Sequence, residues 1–521
     1  MWSSALNVAN RIGKARTIDA VHSRQVGIRY ICTGIRTGHY LAKVASREGG
    51  SNNTFHWRAQ PSTVIPSKGI VSRDMAAAMK KLPSERWTSY DDWDYGGMKQ
   101  RLETFMSSIN KAAITEHAST VLDSPVSMSE AFSAGQYWCC FELVAPDQGR
   151  FLIARVRLPN HPASDAPEGA DEYLIQCEVA TMRFLQAKVT TIPMPRLYAY
   201  EASGSTRAIA VGATYMLIEG FHGNTLQDIN LNIHNLPVSS TFPHSSRAEL
   251  AALTFPKIGS ISHFSPETGP VIGPMATSWL EHLPNPGPFD SAWDYFAAVA
   301  EGFVAEALQS RSSAESESET GSESESENGC SRFATLGPLV FRSVLHDTDI
   351  YKSNQGPFPF IHMDMGIQNL LVDDDYNLIA VIDWEFAQSA PWEVFHYPVP
   401  LAITTSDTKT AERLHDTEHL AHRNASRQVA ARLLYKQEFQ EAERRLEEKG
   451  SALECSIADV LEGKASRIYG LVEKISSFTG MEEELTYEIV RLGYGLTGSE
   501  AEQLIVKIEE EFRTENPDYV Q

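Results

Sequence analysis

The chain has 521 residues and a formal net charge of −22 at neutral pH, long enough for two lobes with extensions and too acidic for broad binding to a nucleic-acid backbone. No apolar run reaches the ~20 residues a membrane span needs. The six cysteines, at Cys32, Cys139, Cys140, Cys177, Cys330 and Cys455, form no C-x-x-C pair and no zinc or disulfide framework, so a reducing, intracellular compartment is expected.

Residues 1–18 contain no acid and carry Arg11, Lys14 and Arg16. Wound as a helix, they place Trp2, Ala5, Leu6, Ala9 and Ile12 on one face, the make-up of a mitochondrial presequence or of a plain basic tail. The expected location is therefore cytoplasmic or mitochondrial. Residues 1–70 read as a disordered or targeting segment, and 71–126 as a helical extension with a helix over 98–109.

Strand formers then dominate at 137–144 and 151–158, around a turn at Asp147, Gln148 and Gly149. A helix is predicted over 171–188. Its apolar arc of Leu174, Ile175, Val179, Met182 and Leu185 includes Glu178, and a carboxylate turned toward a core needs a partner. The preceding strand offers Arg155, or Arg157 on the same face. In kinase-like lobes a helix Glu pairs with a strand cation that grips the ATP phosphates. Residues 208–211 and 214–220 read as the last sheet strand and the hinge. The candidate phosphate loop, Ser133-Ala134-Gly135-Gln136, has a single Gly and no glycine nest.

From 225 to 346 Pro, Gly and Ser punctuate a long insertion. It contains a helix predicted over 289–308 with Trp293, Phe296, Val299, Phe303 and Ala307 as its core face. The Ser/Glu tract over 310–330 has too little apolar surface to offset ordering and is expected to be disordered. Further helices are predicted over 408–449, 457–477, 482–496 and 498–513.

The most informative stretch is His362-Met363-Asp364-Met365-Gly366-Ile367-Gln368-Asn369, with Asp383 fourteen residues after Asn369. It reads H-x-D-x-x-x-x-N, then two short apolar strands around the turn residues Asp374, Asp375, Tyr376 and Asn377. The hairpin returns Asp383 to the neighbourhood of Asn369. Phosphoryl transfer at a kinase-like site needs such a set: one Asp to orient the acceptor hydroxyl, and an Asn and a second Asp for the magnesium that bridges the ATP phosphates. Magnesium takes only one or two carboxylates and completes its shell with water and phosphate.

This segment resembles the catalytic core of the aminoglycoside phosphotransferase and choline kinase-like family, the small-molecule relatives of protein kinases. Trp384-Glu385 follows the metal Asp in place of Phe-Gly, and no Ala-Pro-Glu activation segment follows. The resemblance covers roughly residues 127–400. It implies a two-lobed protein-kinase-like α+β fold, with a small antiparallel-sheet lobe at 127–224 and a larger, mainly helical lobe at 225–400. Residues 401–521 form a helical extension. The cofactors implied are ATP and Mg2+, and the partner is a small molecule bearing a hydroxyl. Asp364 is the implied base, on a catalytic loop held by His362, and Asn369 and Asp383 are the metal ligands. Arg155, supported by Glu178, stands where the family usually has Lys. The hinge backbone at Leu217, Ile218 and Glu219 meets adenine. Trp384, Glu385, Trp392 and Glu393 are candidates for the acceptor pocket, or the tryptophans simply pack. Two rival readings stand beside this one: a pseudokinase or nucleotide-binding scaffold, favoured by Arg155 and the poor glycine loop, and a protein kinase. The sequence names neither the acceptor nor an oligomeric state.

Overall fold

Strand alternation explains the small lobe. In a computed structural model, which describes residues 81–85, 98–135, 137–146, 149–159, 166–189, 191–227, 243–318, 332–398, 407–476 and 480–516, five strands form an antiparallel sheet in the order β1-β2-β3-β5-β4. They are β1 (Ser127–Ala134), β2 (Trp138–Ala145), β3 (Arg150–Arg157), β4 (Leu197–Glu201) and β5 (Tyr215–Glu219). Successive side chains of a strand point to opposite faces. Phe141, Leu143, Leu152, Ala154, Val156, Tyr215 and Leu217 thus share one face and are buried in one cluster. The other face carries Trp138, Met216 and Ile218, packed on a helix and on the larger lobe.

A face that apolar must be covered, and helices α1 (Met98–Ser108) and α2 (Lys111–Leu122) cover it. They bring Leu102, Ile114, Ala118 and Leu122 into the same cluster, each fully buried side chain of Leu or Ile size contributing about 1.5–3 kcal/mol. Asn110 caps α2 by accepting from the amide of Ala113. The role of this extension, illegible in its sequence, is to seal the outer face of the sheet.

Helix α3 (Ala170–Lys188) packs on the inner face, and its predicted arc is buried, Glu178 included. One sequence reading is corrected here. Residues 208–211 are not strand but part of the short helix α4 (Thr206–Val211). The Ser205 side chain caps it through the amide of Ala208, and Gly212 ends it in the left-handed region at φ 87°.

The larger lobe begins with β6 (Asn224–Thr225), α5 (His244–Ala251), β7 (Thr254–Phe255) and the hairpin β8 (Ser260–Ser265) with β9 (Gly269–Gly273), which packs against α3. Helices α6 (Ala292–Ser318) and α7 (Arg332–Asp347) follow. The α6 helix runs beyond the predicted end at 308, and residues 319–331 lie outside the described residues, as does the whole basic amino-terminal segment. Strands β10 (Phe358–His362), β11 (Leu370–Val372), β12 (Leu378–Val381) and β13 (Ala387–Ser389) carry the motif. The chain ends in α8 (Asp407–His415), α9 (His422–Glu448), α10 (Ile457–Val460), α11 (Lys464–Ile475), α12 (Glu482–Tyr494) and α13 (Gly498–Glu515). Helices α6, α7, α11, α12 and α13 share one core around Phe296, Phe341, Ile468, Ile489 and Ile505. Among the described residues no helix is long and apolar enough to cross a membrane.

Candidate active site

The β11–β12 hairpin does what its sequence predicts. Leu370 pairs with Val381, and the amide of Ile382 donates to the Asn369 carbonyl at 3.0 Å, which brings Asn369 and Asp383 alongside each other. Asp383 itself is left-handed, at φ 68° and ψ 63°. Asp tolerates that region better than most residues, yet such a backbone costs on the order of 1 kcal/mol or more. The bend lifts the carboxylate out of the strand: its side chain is 24% exposed, in a cleft between the lobes.

The motif loop is tied together from within. Asp364 is 1% exposed. Its Oδ1 accepts from Gln368 Nε2 at 2.8 Å, and its Oδ2 from Asn369 Nδ2 at 3.0 Å. Asn369 Nδ2 also donates to the Asp364 carbonyl at 2.8 Å. The Asn369 amide thus spends its nitrogen on Asp364, and the residue is 2% exposed. An amide oxygen beside one cleft carboxylate fits magnesium. Among the described residues no group of three or more His, Cys, Asp or Glu side chains is arranged to hold a metal.

His362 Nε2 donates to the Ile382 carbonyl at 3.0 Å, and its ring packs edge-on against Trp384 with centroids 4.8 Å apart. Burial pushes its pKa down to about 4, against smaller raising contributions from that carbonyl and from Asp383. The imidazole is therefore neutral at pH 7 and fastens the motif loop to the strand end that carries Asp383.

The opposite wall is built around a paired arginine. Arg155 of β3 donates from Nη1 to Glu178 Oε1 at 2.5 Å and from Nη2 to Asp383 Oδ1 at 3.0 Å, and its guanidinium lies 4.7 Å from the Trp138 ring. The pairing with Glu178 is the one expected; the second, with Asp383, no sequence pattern announced. Arg157, two residues on and facing the same way, instead meets Asp171 Oδ1 at 2.8 Å and lies 3.9 Å from Glu385 Oε2, stacked on Tyr137 and Trp138. Glu385 is 5% exposed and its Oε2 accepts no hydrogen bond. Burial, then Asp383 and Glu178, hold its pKa well above the usual carboxyl range, against the pull of Arg157 and Arg155. Glu385 thus lines the cleft beside Arg155. Trp384 and Trp392 pack in cores, their indole N–H groups donating to the carbonyls of Val381 and Pro357, and Glu393 Oε2 accepts from Asn354.

At the hinge, Ile218 and Glu219 line the cleft, whereas the Leu217 side chain lies in the outer cluster. The amides of Glu219 and Gly220 donate to the carbonyls of Arg196 and Phe151. A side chain at Gly220 would overlap the Phe151 ring, its Cβ only 2.2 Å from Cε2. Ser133, Ala134 and Gly135 also border the cleft; Gln136 lies outside the described residues. Thr225 and Gln368 also line the cleft. So does Pro83, from a segment whose sequence carries no recognisable signal.

One buried neutral histidine, His362, gives the fold an acid-side liability. An unfolded His titrates near 6.5, so as pH falls below that value the unfolded chain takes up protons before the folded one does. Stability from His362 is complete above pH ~6.5 and is lost toward pH 4, on the order of 3 kcal/mol in all. His362→Gln removes this titration. In urea unfolding the stability gap between parent and variant should shrink from pH 7 to pH 4.5; a gap independent of pH would mean that the imidazole titrates alike in the folded and unfolded chain.

No family model matches this chain, and the search of curated proteins gives no match. Among solved structures it is similar to a putative fructosamine-3-kinase from Haemophilus somnus 129PT, 13% identical over 74% of this chain and 99% of that one, with a TM-score of 0.37. It is similar also to a macrolide 2'-phosphotransferase type I, 12% identical over 75% and 99% at a TM-score of 0.32, and to a choline kinase from Cryptosporidium parvum Iowa II, 10% identical over 78% and 97% at a TM-score of 0.35. By its own elements, an antiparallel sheet lobe with one helix over a mainly helical lobe that carries the motif loop, the chain has the two-lobed protein-kinase-like α+β fold expected from its sequence.

Proposed function

We propose that this chain is an ATP-dependent phosphotransferase that moves the γ-phosphoryl group of ATP to a hydroxyl of a small molecule. The observation that carries the reading is the meeting at one cleft of Asp383 with Arg155 and Glu178, Arg155 reaching Asp383 across 228 positions of sequence, while Asp364 and Asn369 lie buried just behind the lining, Asp364 bonded to the cleft residue Gln368 and to Asn369. Asp364 orients the acceptor hydroxyl and takes its proton late, which a loose transition state permits without a strong base. Asn369 and Asp383 hold magnesium, which when bound neutralises charge on the phosphates. Arg155, steadied by Glu178, meets the phosphates, and its planar fork suits them. His362 positions the loop. Ile218 and Glu219 border the base, with Leu217 supporting them from the outer face.

A second reading, a nucleotide-binding scaffold without catalysis, draws on the Arg155–Asp383 pair: the phosphate cation and the metal carboxylate already neutralise each other. Calorimetric titration with ATP, with and without magnesium, separates the two when followed by phosphate transfer to a panel of hydroxyl acceptors. Magnesium-dependent binding should weaken in Asp383→Asn by at least about tenfold, the lower end of what even outer-shell partners of a bound metal cost. Binding without transfer to any acceptor favours the scaffold, and no binding by the folded parent removes the nucleotide from both readings.

A further inference from the structure

The base end of the cleft is covered by a short piece of chain from ahead of the sheet. Residues 81–85 form a turn in which Pro83 is buried and lines the cleft with Ile153, Ile218 and Glu219. Two anchors seat it. The amide and the hydroxyl of Ser84 donate to the two carboxylate oxygens of Glu142, each at 2.6 Å. His222 Nδ1 donates to the Lys81 carbonyl at 3.1 Å, and the His222 ring packs edge-on against Phe151. Glu142 is 1% exposed and pairs across the sheet with Ile153, so its side chain lies on the cleft face of β2. Short bonds to a carboxylate are the strong kind, and a buried carboxylate stripped of its donors is costly.

Resting on the nucleotide reading above, we propose that residues 81–85 are an intrasteric strap that competes with the base of the nucleotide for this end of the cleft, with Ser84 on Glu142 as its latch. Apparent affinity scales with the fraction of molecules whose strap has lifted. A negative charge at position 84 faces the buried Glu142 carboxylate and opens the latch. Losing only the hydroxyl leaves the amide bond and loosens it.

The test titrates the full chain, and its Ser84→Asp and Ser84→Ala variants, with a fluorescent ATP analogue and magnesium, and follows hydrogen exchange at the residue 84 amide. Ser84→Asp should bind about tenfold more tightly, as it does if the strap is lifted in roughly one parent molecule in ten. Ser84→Ala should fall between, and nucleotide should abolish the protection of the Ser84 amide in the parent. Equal affinity in all three proteins, or weaker binding by Ser84→Asp, overturns the strap while the nucleotide reading stands. No binding by any of them, with the residue 84 amide already unprotected in Ser84→Asp, means that the strap lifts and nothing follows it into the cleft, and both ideas fall.

Discussion

Asp364→Asn should lower the rate of phosphoryl transfer by about 10²–10⁴-fold, the usual loss on removing a positioned proton acceptor, while ATP and magnesium bind as in the parent. The hydrogen bonds around Asp364 explain why the damage stays local. Its Oδ2 accepts from Asn369 and its Oδ1 from Gln368. An Asn at this position can keep its oxygen toward Asn369, and its new amino group then faces Gln368, whose own amide turns over to present oxygen. Asn369 keeps its second bond, to the Asp364 carbonyl, so the candidate metal ligand stays put. Single-turnover transfer beside calorimetric affinity separates the cases. A loss of rate with unchanged affinity is the expected result. Unchanged transfer would move the acceptor-orienting role away from Asp364, and a matching loss of affinity would show that the carboxylate shapes the cleft rather than the reaction.

What the sequence revealed follows from how local each signal is. The hairpin from Leu370 to Val381 is specified by adjacent residues, so the approach of Asp383 to Asn369 could be read directly. Glu178 was legible because an acid inside an apolar arc is a local contradiction. Its choice of Arg155 over Arg157 rested on the family resemblance alone, since both arginines share a strand face, and Asp171 at the start of α3 takes the second one. The Arg155–Asp383 contact joins lobes 228 positions apart, and nothing in either segment encodes the other. Residues 208–211 misled because Ala-Ile-Ala-Val suits either state. The cap at Ser205 and the stop at Gly212 decide for helix. The strap at 81–85 was silent because its meaning lies wholly in what it touches.

Breaking the buried ion cluster should have the largest effect on stability. Arg155→Ala leaves Glu178, 1% exposed, without its cation and removes one partner of Asp383. Stranding a buried charge costs about 3–5 kcal/mol, so the variant should unfold at clearly lower urea concentration. Pairing it with a second change, as Arg155→Met with Glu178→Met, replaces the two ions by apolar side chains of similar length, and such replacements are often neutral or stabilising. The double variant should therefore recover most of the lost stability. Nucleotide binding should not return with it, because the phosphates still lack their cation. Arg155→Lys is the complement: it keeps one charge on Glu178 but cannot fork to Asp383 as well, so it should hold most of the binding while loosening the join between the lobes. A double variant that is stable and binds ATP as tightly as the parent would make the pair a structural device and remove Arg155 from the site. A double variant as unstable as Arg155→Ala would instead show that the cost lies in packing around Trp138, on which the guanidinium rests, rather than in the charge left behind.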